Sequence, residues 1–367
     1  MKQLLKEIRD NGVLLEIEEG KLAIYAGKAD VSPDLMDRIR NNKEELIRWL
    51  RIHDQAESDA LAHRDIPFAP VAEHYPLSAA QKRLWMVHHA KKSGGAYNMP
   101  GVFVLEGGVN VAAIEFAFFD LIERHESLRT VFRELGGEVR QFVLDTNAIG
   151  FRLISDDLSD NTPEQVSERV RHEIERPFAL AQGPMIRALV LRIGGDRWVF
   201  AYVLHHIVGD AWSMDVMIAE LFRYYGGYIG GEVADLQPLR IQFKDFAWWQ
   251  QEQMGGKGME RHKRYWADQF RDGVPVLDLP GDRLRPAVKT FAGGTVMRQF
   301  SSEVCGRLKQ FCREQDATLF MGILAVANAL FYRYTGQEDI VVGSSVAGRD
   351  HPELEAQIGL FLNTLPF

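Results

Sequence analysis

Cysteine is nearly absent. Cys305 and Cys312 are the only two in 367 residues, they stand far from the histidine pair at 205–206, and they show no metal-ligand spacing. That excludes a disulfide framework, gives no reason to expect a metal, and fits a reducing, cytoplasmic setting. Long apolar runs are also missing. No stretch reaches the roughly 20 residues a bilayer span requires, and the opening Met1-Lys2-Gln3-Leu4-Leu5-Lys6-Glu7 lacks a signal-peptide core, so no membrane association is expected. A basic block is lacking too. Lys and Arg number 43 against 51 Asp and Glu, a net charge of −8, which does not support a nucleic-acid partner. There is no internal repeat and no low-complexity tract. What remains is ordinary for a soluble globular chain, 46% hydrophobic and 26% charged, and long enough for two domains or more.

The first 55 residues read as one small module. Leu4, Leu5 and Ile8 fall at helical spacing. Val13, Leu15 and Ile17 alternate, a Glu19-Gly20 turn follows, and Leu22 and Ile24 alternate with Ala23 and Tyr25, which predicts a β-hairpin. Ser32-Pro33-Asp34 is an N-cap, a proline at the first helical position and an acidic first turn. Asn41-Asn42 breaks that helix, and Leu46, Ile47 and Leu50 mark another. The predicted order is αββαα. So small a unit has a thin core and gains from a partner. Residues 56–74, polar and then proline-containing, read as a linker.

From residue 75 the character changes. Ser78 precedes a helix-forming run, residues 101–106 form a short apolar strand, and residues 111–132 read as one long amphipathic helix. Gly136-Gly137 and Gly194-Gly195 mark hairpin turns. Residues 198–204 are continuously apolar, as in a buried strand. Directly after it stands His205-His206-Ile207-Val208-Gly209-Asp210-Ala211-Trp212-Ser213, with Ser213 placed to cap a helix carrying Met214, Met217, Leu221 and Tyr224 on one face. An imidazole in a strand-to-helix loop can take or give a proton near neutral pH, which points to acyl transfer or another proton-transfer reaction. Read from the residues alone, Asp210 is the orienting acid of a histidine. His74, His88, His89 and His125 read as ordinary structural histidines.

Five segments in order resemble the condensation domain of nonribosomal peptide synthetases. HHxxxDG is matched by His205, His206 and Asp210, with Ala211 in place of the glycine. SxAQxRLW is matched by Ser78, Ala80, Gln81, Arg83, Leu84 and Trp85, and RHExLRTxF by residues 124–132. YxDYAxW is matched conservatively by Phe243, Asp245, Phe246, Ala247 and Trp249, and IGxFxNTL by Ile358, Gly359, Phe361, Asn363, Thr364 and Leu365. Residues 1–55 resemble the TubC-type N-terminal docking domain of the same synthetases.

The resemblance implies a mixed α/β (α+β) fold. The docking module would precede a chloramphenicol-acetyltransferase-like, V-shaped condensation domain with one lobe over 75–250 and a second over 251–367. Family members run on past the Asn363-Thr364 segment, so the second lobe of a chain ending at Phe367 is expected to be incomplete. The implied reaction joins two thioesters carried by donor and acceptor peptidyl carrier proteins. The chain itself would hold no cofactor, and the phosphopantetheine arms of those carriers would tether the substrates. His206 is the implied proton acceptor or positioning group, with His205 beside it. Asp210 would instead pair with an arginine, Arg349, and clamp the loop. Ala211, Trp212, Ser213 and Asn363 would lie along the substrate tunnel, and Trp212-Ser213 is closest to the subtype joining an L-configured donor to an L acceptor. If the backbone at 211 needs positive φ or close substrate passage, the alanine methyl would hinder it. The docking hairpin would take the C-terminal tail of an upstream synthetase by strand addition, at Lys21, Leu22, Ile24, Tyr25 and Lys28. The competing reading makes Leu22 and Ile24 core and the lysines solvated. Two other functions stay open: a non-catalytic docking or interaction fragment, and a stand-alone acyltransferase using acyl-CoA.

Overall fold

A computed structural model describes residues 4, 7–8, 13–18, 21–26, 32–47, 65–91, 94–255, 257–283 and 293–367. The expectations for Leu5, the Glu19-Gly20 turn, Lys28, Leu50 and residues 56–64 lie outside the described residues. The chain divides into two compact units, Met1–Asp65 and Ile66–Phe367.

In the first unit β1 (Val13–Glu18) and β2 (Lys21–Ala26) pair antiparallel, Val13 opposite Ala26 and Glu18 opposite Lys21. Helix α1 (Pro33–Asn41) follows, and Ser32 caps it by accepting from the Leu35 amide at 3.3 Å. Pro33 at the first helical position gives up an N–H that would have no partner there anyway. Asn42 ends the helix by donating from its side chain to the Arg38 carbonyl at 2.8 Å, and residues 43–47 start another helical stretch. Leu4, Ile8, Val13, Leu15, Leu35, Ile39 and Leu46 form the core, one small cluster.

In the second unit a four-stranded sheet runs in the order β4-β9-β8-β7. Its strands are β4 (Asn98–Glu106), β7 (Leu153–Asp157), β8 (Ile186–Arg192) and β9 (Arg197–His205). Strand β9 pairs antiparallel with both β4 and β8, whereas β7 and β8 are parallel and need a crossover. Helix α4 (Pro163–Glu175), closed at its start by a Thr162–Gln165 capping box, supplies it. Successive side chains of β9 alternate between faces. Phe200, Tyr202 and Leu204 join the main core with Ile114, Phe118, Leu121, Met217 and Leu221; Val199 and Ala201 pack with Val166 and Val170 of α4. Burial on both faces is why this strand reads as an unbroken apolar run.

The expected helix over 111–132 is three elements. Helix α3 (Val111–Arg124) stops at His125, whose backbone is extended (φ −108°, ψ 102°). A 3-10 turn, Glu126–Arg129, then leads into strand β5 (Thr130–Leu135). β5 pairs with β6 (Glu138–Val143) in a second sheet whose other edge is β3 (Tyr75–Pro76). The β-branched Thr130-Val131 and the Gly136-Gly137 hairpin, with both glycines at positive φ, outweigh the helical periodicity.

Helices α2 (Ala79–Lys91), α5 (Ala211–Gly230) and α6 (Phe243–Met254) border the histidine loop and the chain's last segments. Beyond them come α7 (Lys257–Gln269), α8 (Ser302–Glu314), α9 (Leu319–Thr335) and the antiparallel pair β10 (Gly343–Val346) and β11 (Asn363–Pro366). The large unit begins earlier than expected. Residues 66–74, read as linker, belong to the large unit, because Ile66 is fully buried in one cluster with Ile241, Phe243, Phe246, Ala247, Leu354 and Phe361. That cluster also joins residues on both sides of the expected division at 250/251.

Candidate functional site

The site is built where β9 runs out. The last strand residue, His205, donates its amide to the Met185 carbonyl, and the next, His206, donates to the Tyr97 carbonyl, each at 2.9 Å. A 3-10 turn, His206–Val208, follows. Gly209 then has an extended backbone (φ −165°), so its φ asks for no glycine; a Cβ there would stand 2.5 Å from Leu204 Cδ2, so a side chain would force the buried Leu204 to move.

Asp210 caps α5. One of its oxygens accepts from the Ser213 amide at 2.8 Å and the Ser213 hydroxyl at 2.7 Å, so the cap is Asp210 and not Ser213 as the sequence suggested. Arg349 Nη2 donates to the same oxygen at 3.0 Å, and the Phe361 amide donates to the other at 3.2 Å. Both side chains of this ion pair are buried, 1% and 3% exposed. The pair spans 139 residues of sequence, and Arg349 also donates to the Leu354 and Gln357 carbonyls and lies 4.2 Å from the Phe361 ring centre. Burial pulls the guanidinium's pKa down and Asp210 pushes it back up. Gly359 is part of the same closure: its amide donates to Ser213 Oγ at 3.1 Å, its carbonyl oxygen stands 2.9 Å from that hydroxyl and shares the hydroxyl's single hydrogen with Asp210, and a Cβ there would strike the Phe243 ring.

The two histidines have opposite environments. His205 is 1% exposed, and its Nδ1 accepts from the Ile207 amide at 3.1 Å. Its Nε2 has no hydrogen-bond partner among the described residues. Burial first, then the neighbouring His88, His206 and Arg187, lower its pKa to about 3. A ring so buried and so hard to protonate is a packing element against His88 and Phe178, 5.5 and 5.6 Å away between centroids, and is unsuited to carrying protons near neutral pH. His206 is half-buried, and its Nδ1 lies 2.7 Å from the Gly209 carbonyl oxygen. A carbonyl only accepts, so Nδ1 carries the proton and the neutral ring keeps its lone pair on Nε2. The orienting group is therefore the Gly209 carbonyl; Asp210 spends its oxygens on the clamp.

The other expected tunnel residues are placed as follows. Ser213 is fully buried with its hydroxyl held in the clamp, which removes it from any tunnel wall. Ala211 opens α5 with ordinary backbone; Asp316 is the sole non-glycine residue at positive φ among the described residues, so the alanine is not strained. Trp212 is 45% exposed and donates Nε1 to the Glu355 carbonyl at 2.9 Å. Asn363 is exposed, and its Oδ1 accepts from Arg83 Nη2 at 2.9 Å.

Gln81 is a part of the site that sequence reasoning did not assign. It closes a reciprocal pair with Ser78, at 3.1 and 3.2 Å, and its Nε2 reaches the Ile207 carbonyl at 3.1 Å, fastening α2 to the turn that carries His206. The signal was a polar residue three positions after a serine on a helix start, a capping-box spacing. On the docking hairpin, Leu22 and Ile24 are partly buried against their own unit's core, so only part of each can meet a tail. Lys21 and Tyr25 are placed on β2 by their backbone.

Comparison with known proteins agrees with this architecture. The condensation domain family matches residues 71–367, and the TubC N-terminal docking domain family matches residues 1–51. Tyrocidine synthase 3 of Brevibacillus parabrevis is 38% identical over 323 residues, covering 88% of this chain and 5% of that protein. Gramicidin S synthase 2 of Brevibacillus brevis is 36% identical over 296 residues, covering 81% and 6%. The chain thus spans only a small fraction of the length of these relatives. Among solved structures, the X-domain in its complex with OxyB from teicoplanin biosynthesis superposes with a TM-score of 0.73 at 26% identity, covering 83% of this chain and 66% of that one. By fold, motif geometry and these matches, the chain belongs to the condensation domain family of nonribosomal peptide synthetases, with a TubC N-terminal docking domain ahead of it.

Proposed function

We propose that this chain forms a peptide bond between two carrier-bound thioesters, and that His206 Nε2 handles the proton of the attacking amine. The observation that carries the reading is the His206–Gly209 contact at 2.7 Å, which fixes the tautomer with an acceptor nitrogen on Nε2. An α-amine has a pKa of about 7.7–8.0, so a fair fraction is already neutral and needs no strong base before attack. The amine nitrogen bonds to the thioester carbonyl carbon and becomes cationic. His206 Nε2 then takes one proton from it, the carbon–sulfur bond breaks, and the departing thiolate receives that proton. The Asp210–Arg349–Ser213–Gly359 clamp holds the loop in place while touching no reacting atom.

The substrates are the phosphopantetheine thioesters of donor and acceptor peptidyl carrier proteins, and the protein works in the cytoplasm. The docking unit adds a strand from the C-terminal tail of an upstream synthetase to its hairpin, around Lys21, Leu22, Ile24, Tyr25 and Lys28. The match of residues 1–51 to a docking family supports protein-tethered substrates over free acyl-CoA.

Dipeptide formation between two loaded carrier proteins tests this. His206→Ala is expected to lower the rate at least about 100-fold, the usual range for a lost acid–base group. Equal product from both proteins overturns the role of His206. Turnover of free acyl-CoA as fast as that of carrier-bound donors overturns the carrier reading.

A further inference from the structure

The segment that enters the large unit does more than connect. Ile66 is fully buried in the cluster it shares with Leu354 and Phe361. Its amide donates to Glu353 Oε2 at 3.2 Å, and its carbonyl accepts from Arg240 Nη2 at 2.7 Å. Arg240 in turn is paired through Nε with Glu353 Oε1, closing a ring of Ile66, Glu353 and Arg240. Three residues on, the Ala69 amide donates to Asp245 Oδ1 at 2.8 Å; Asp245 is 3% exposed, and its other oxygen accepts from the Gln242 amide at 2.7 Å. The Arg240 guanidinium also covers the Phe68 ring at 5.2 Å.

The partner of this strap is the segment 349–361. Glu353 and Leu354 belong to its 3-10 turn, Pro352–Leu354. The Leu354 carbonyl accepts from Arg349, and the Gln357 carbonyl does so at 2.9 Å while the Gln357 side chain donates to the Ile241 carbonyl at 2.6 Å. The same Arg349 holds Asp210, which caps α5 immediately after the Gly209 carbonyl that orients His206.

We propose that Ile66 and the Arg240–Glu353 pair are positioning residues for His206, acting through the 349–361 segment and the Arg349–Asp210 clamp. The proposal rests on the reading of His206 given above. None of the three touches reacting atoms. Their role is to fix the loop against which the clamp closes, because a side chain stays in place only when its supporting shell is itself locked. Releasing the strap lets segment 349–361 shift, Arg349 follows, and the His206 ring loses its register. A misplacement of about 1 Å at a reacting group can cost about 100-fold in rate.

The test uses the full chain with Ile66→Ala, Arg240→Ala and Glu353→Gln, Arg240→Lys as the conservative variant, and Arg140→Ala as a control on the exposed Glu138–Arg140 pair. Two readouts are taken: amide hydrogen exchange, and kcat against KM for dipeptide formation between loaded carriers. For the first three variants, exchange of residues 205–213 and 349–361 is expected to speed up at least tenfold while β8 amides keep their rates. In the same variants kcat is expected to fall ten- to a hundredfold with KM within twofold. Arg240→Lys is expected to recover most of the loss, and Arg140→Ala to change nothing. Unchanged exchange at 205–213, or an equal rise in β8, overturns the proposal. Tight strap-dependent exchange with no dipeptide from the wild type would instead strike the reading of His206 and leave the strap standing.

Discussion

The sheet around β9 and the helix pair α8–α9 are both strongly apolar, yet one is sealed and the other is open. In β8 and β9 nearly every residue is buried, and Phe200 is wrapped by Phe118, Tyr202 and Phe222. Along α9 no residue is buried, and Phe320, Val326 and Tyr334 are 47%, 61% and 63% exposed. From residue 257 to 346, Cys312 alone is buried among the described residues. Apolar side chains state that a segment gains from burial; they do not state against what. The stability of the large unit is therefore concentrated in the sheet, the helices on its two faces and the clamp, with α8 and α9 contributing little within the described residues.

Three measurements break or sharpen that contrast. The largest effect is expected from side-chain truncation. Phe200→Ala should cost about 3–5 kcal/mol in urea unfolding, because it removes a ring with no route for collapse. Phe320→Ala should cost under about 1 kcal/mol, since about half of that ring already meets water. Equal costs would show that α9 is packed as tightly as β9.

The next effect is the pH dependence supplied by His205. Its folded pKa, about 3, lies below the unfolded value near 6.5, so the unfolded state binds more protons in that window. The stability it supports is fully present above pH 6.5 and is lost as pH falls, by about 1.4 kcal/mol per unit. Between pH 6.5 and 5 the sheet is expected to lose about 2 kcal/mol from this residue, and His205→Gln should flatten that slope in thermal melts. An unchanged slope would mean that His205 already titrates normally. The smallest effect is at a tight contact of the open region, between Gly322 and Cys312. A Cβ on Gly322 would collide with Cys312 Sγ, so Gly322→Ala should loosen α9 by about 1 kcal/mol after its helix-propensity gain. Adding Cys312→Ala should reverse the sign, read by hydrogen exchange over 319–335.

Much of the site was legible because its signals are local. The apolar run at 198–204 marks a strand buried on both faces, and the histidines follow at its end. Misreadings occurred where a distant partner decides the outcome. Residues 111–132 carry helical periodicity, but the helix stops at Arg124, and a 3-10 turn then hands the last three residues to β5, which pairs with β6. Ser213 has the chemistry of a cap, yet it loses the position to Asp210 and is drawn into the clamp by Gly359 and Arg349. Residues 66–74 look like linker because they are polar and proline-containing, while Ile66 alone supplies the apolar anchor.

The sequence by itself determined the two-part organisation, the five ordered motifs, the family and the location of the histidine pair, since periodicity, capping chemistry and motif spacing all act over a few residues. Only the tertiary structure decided that the Gly209 carbonyl and not Asp210 lies against His206 Nδ1, that His205 is sealed in the core with its pKa lowered to about 3, and that Asp210 and not Ser213 caps α5. Burial, tautomer and ion pairing depend on which segments meet in space, and no local pattern records that meeting.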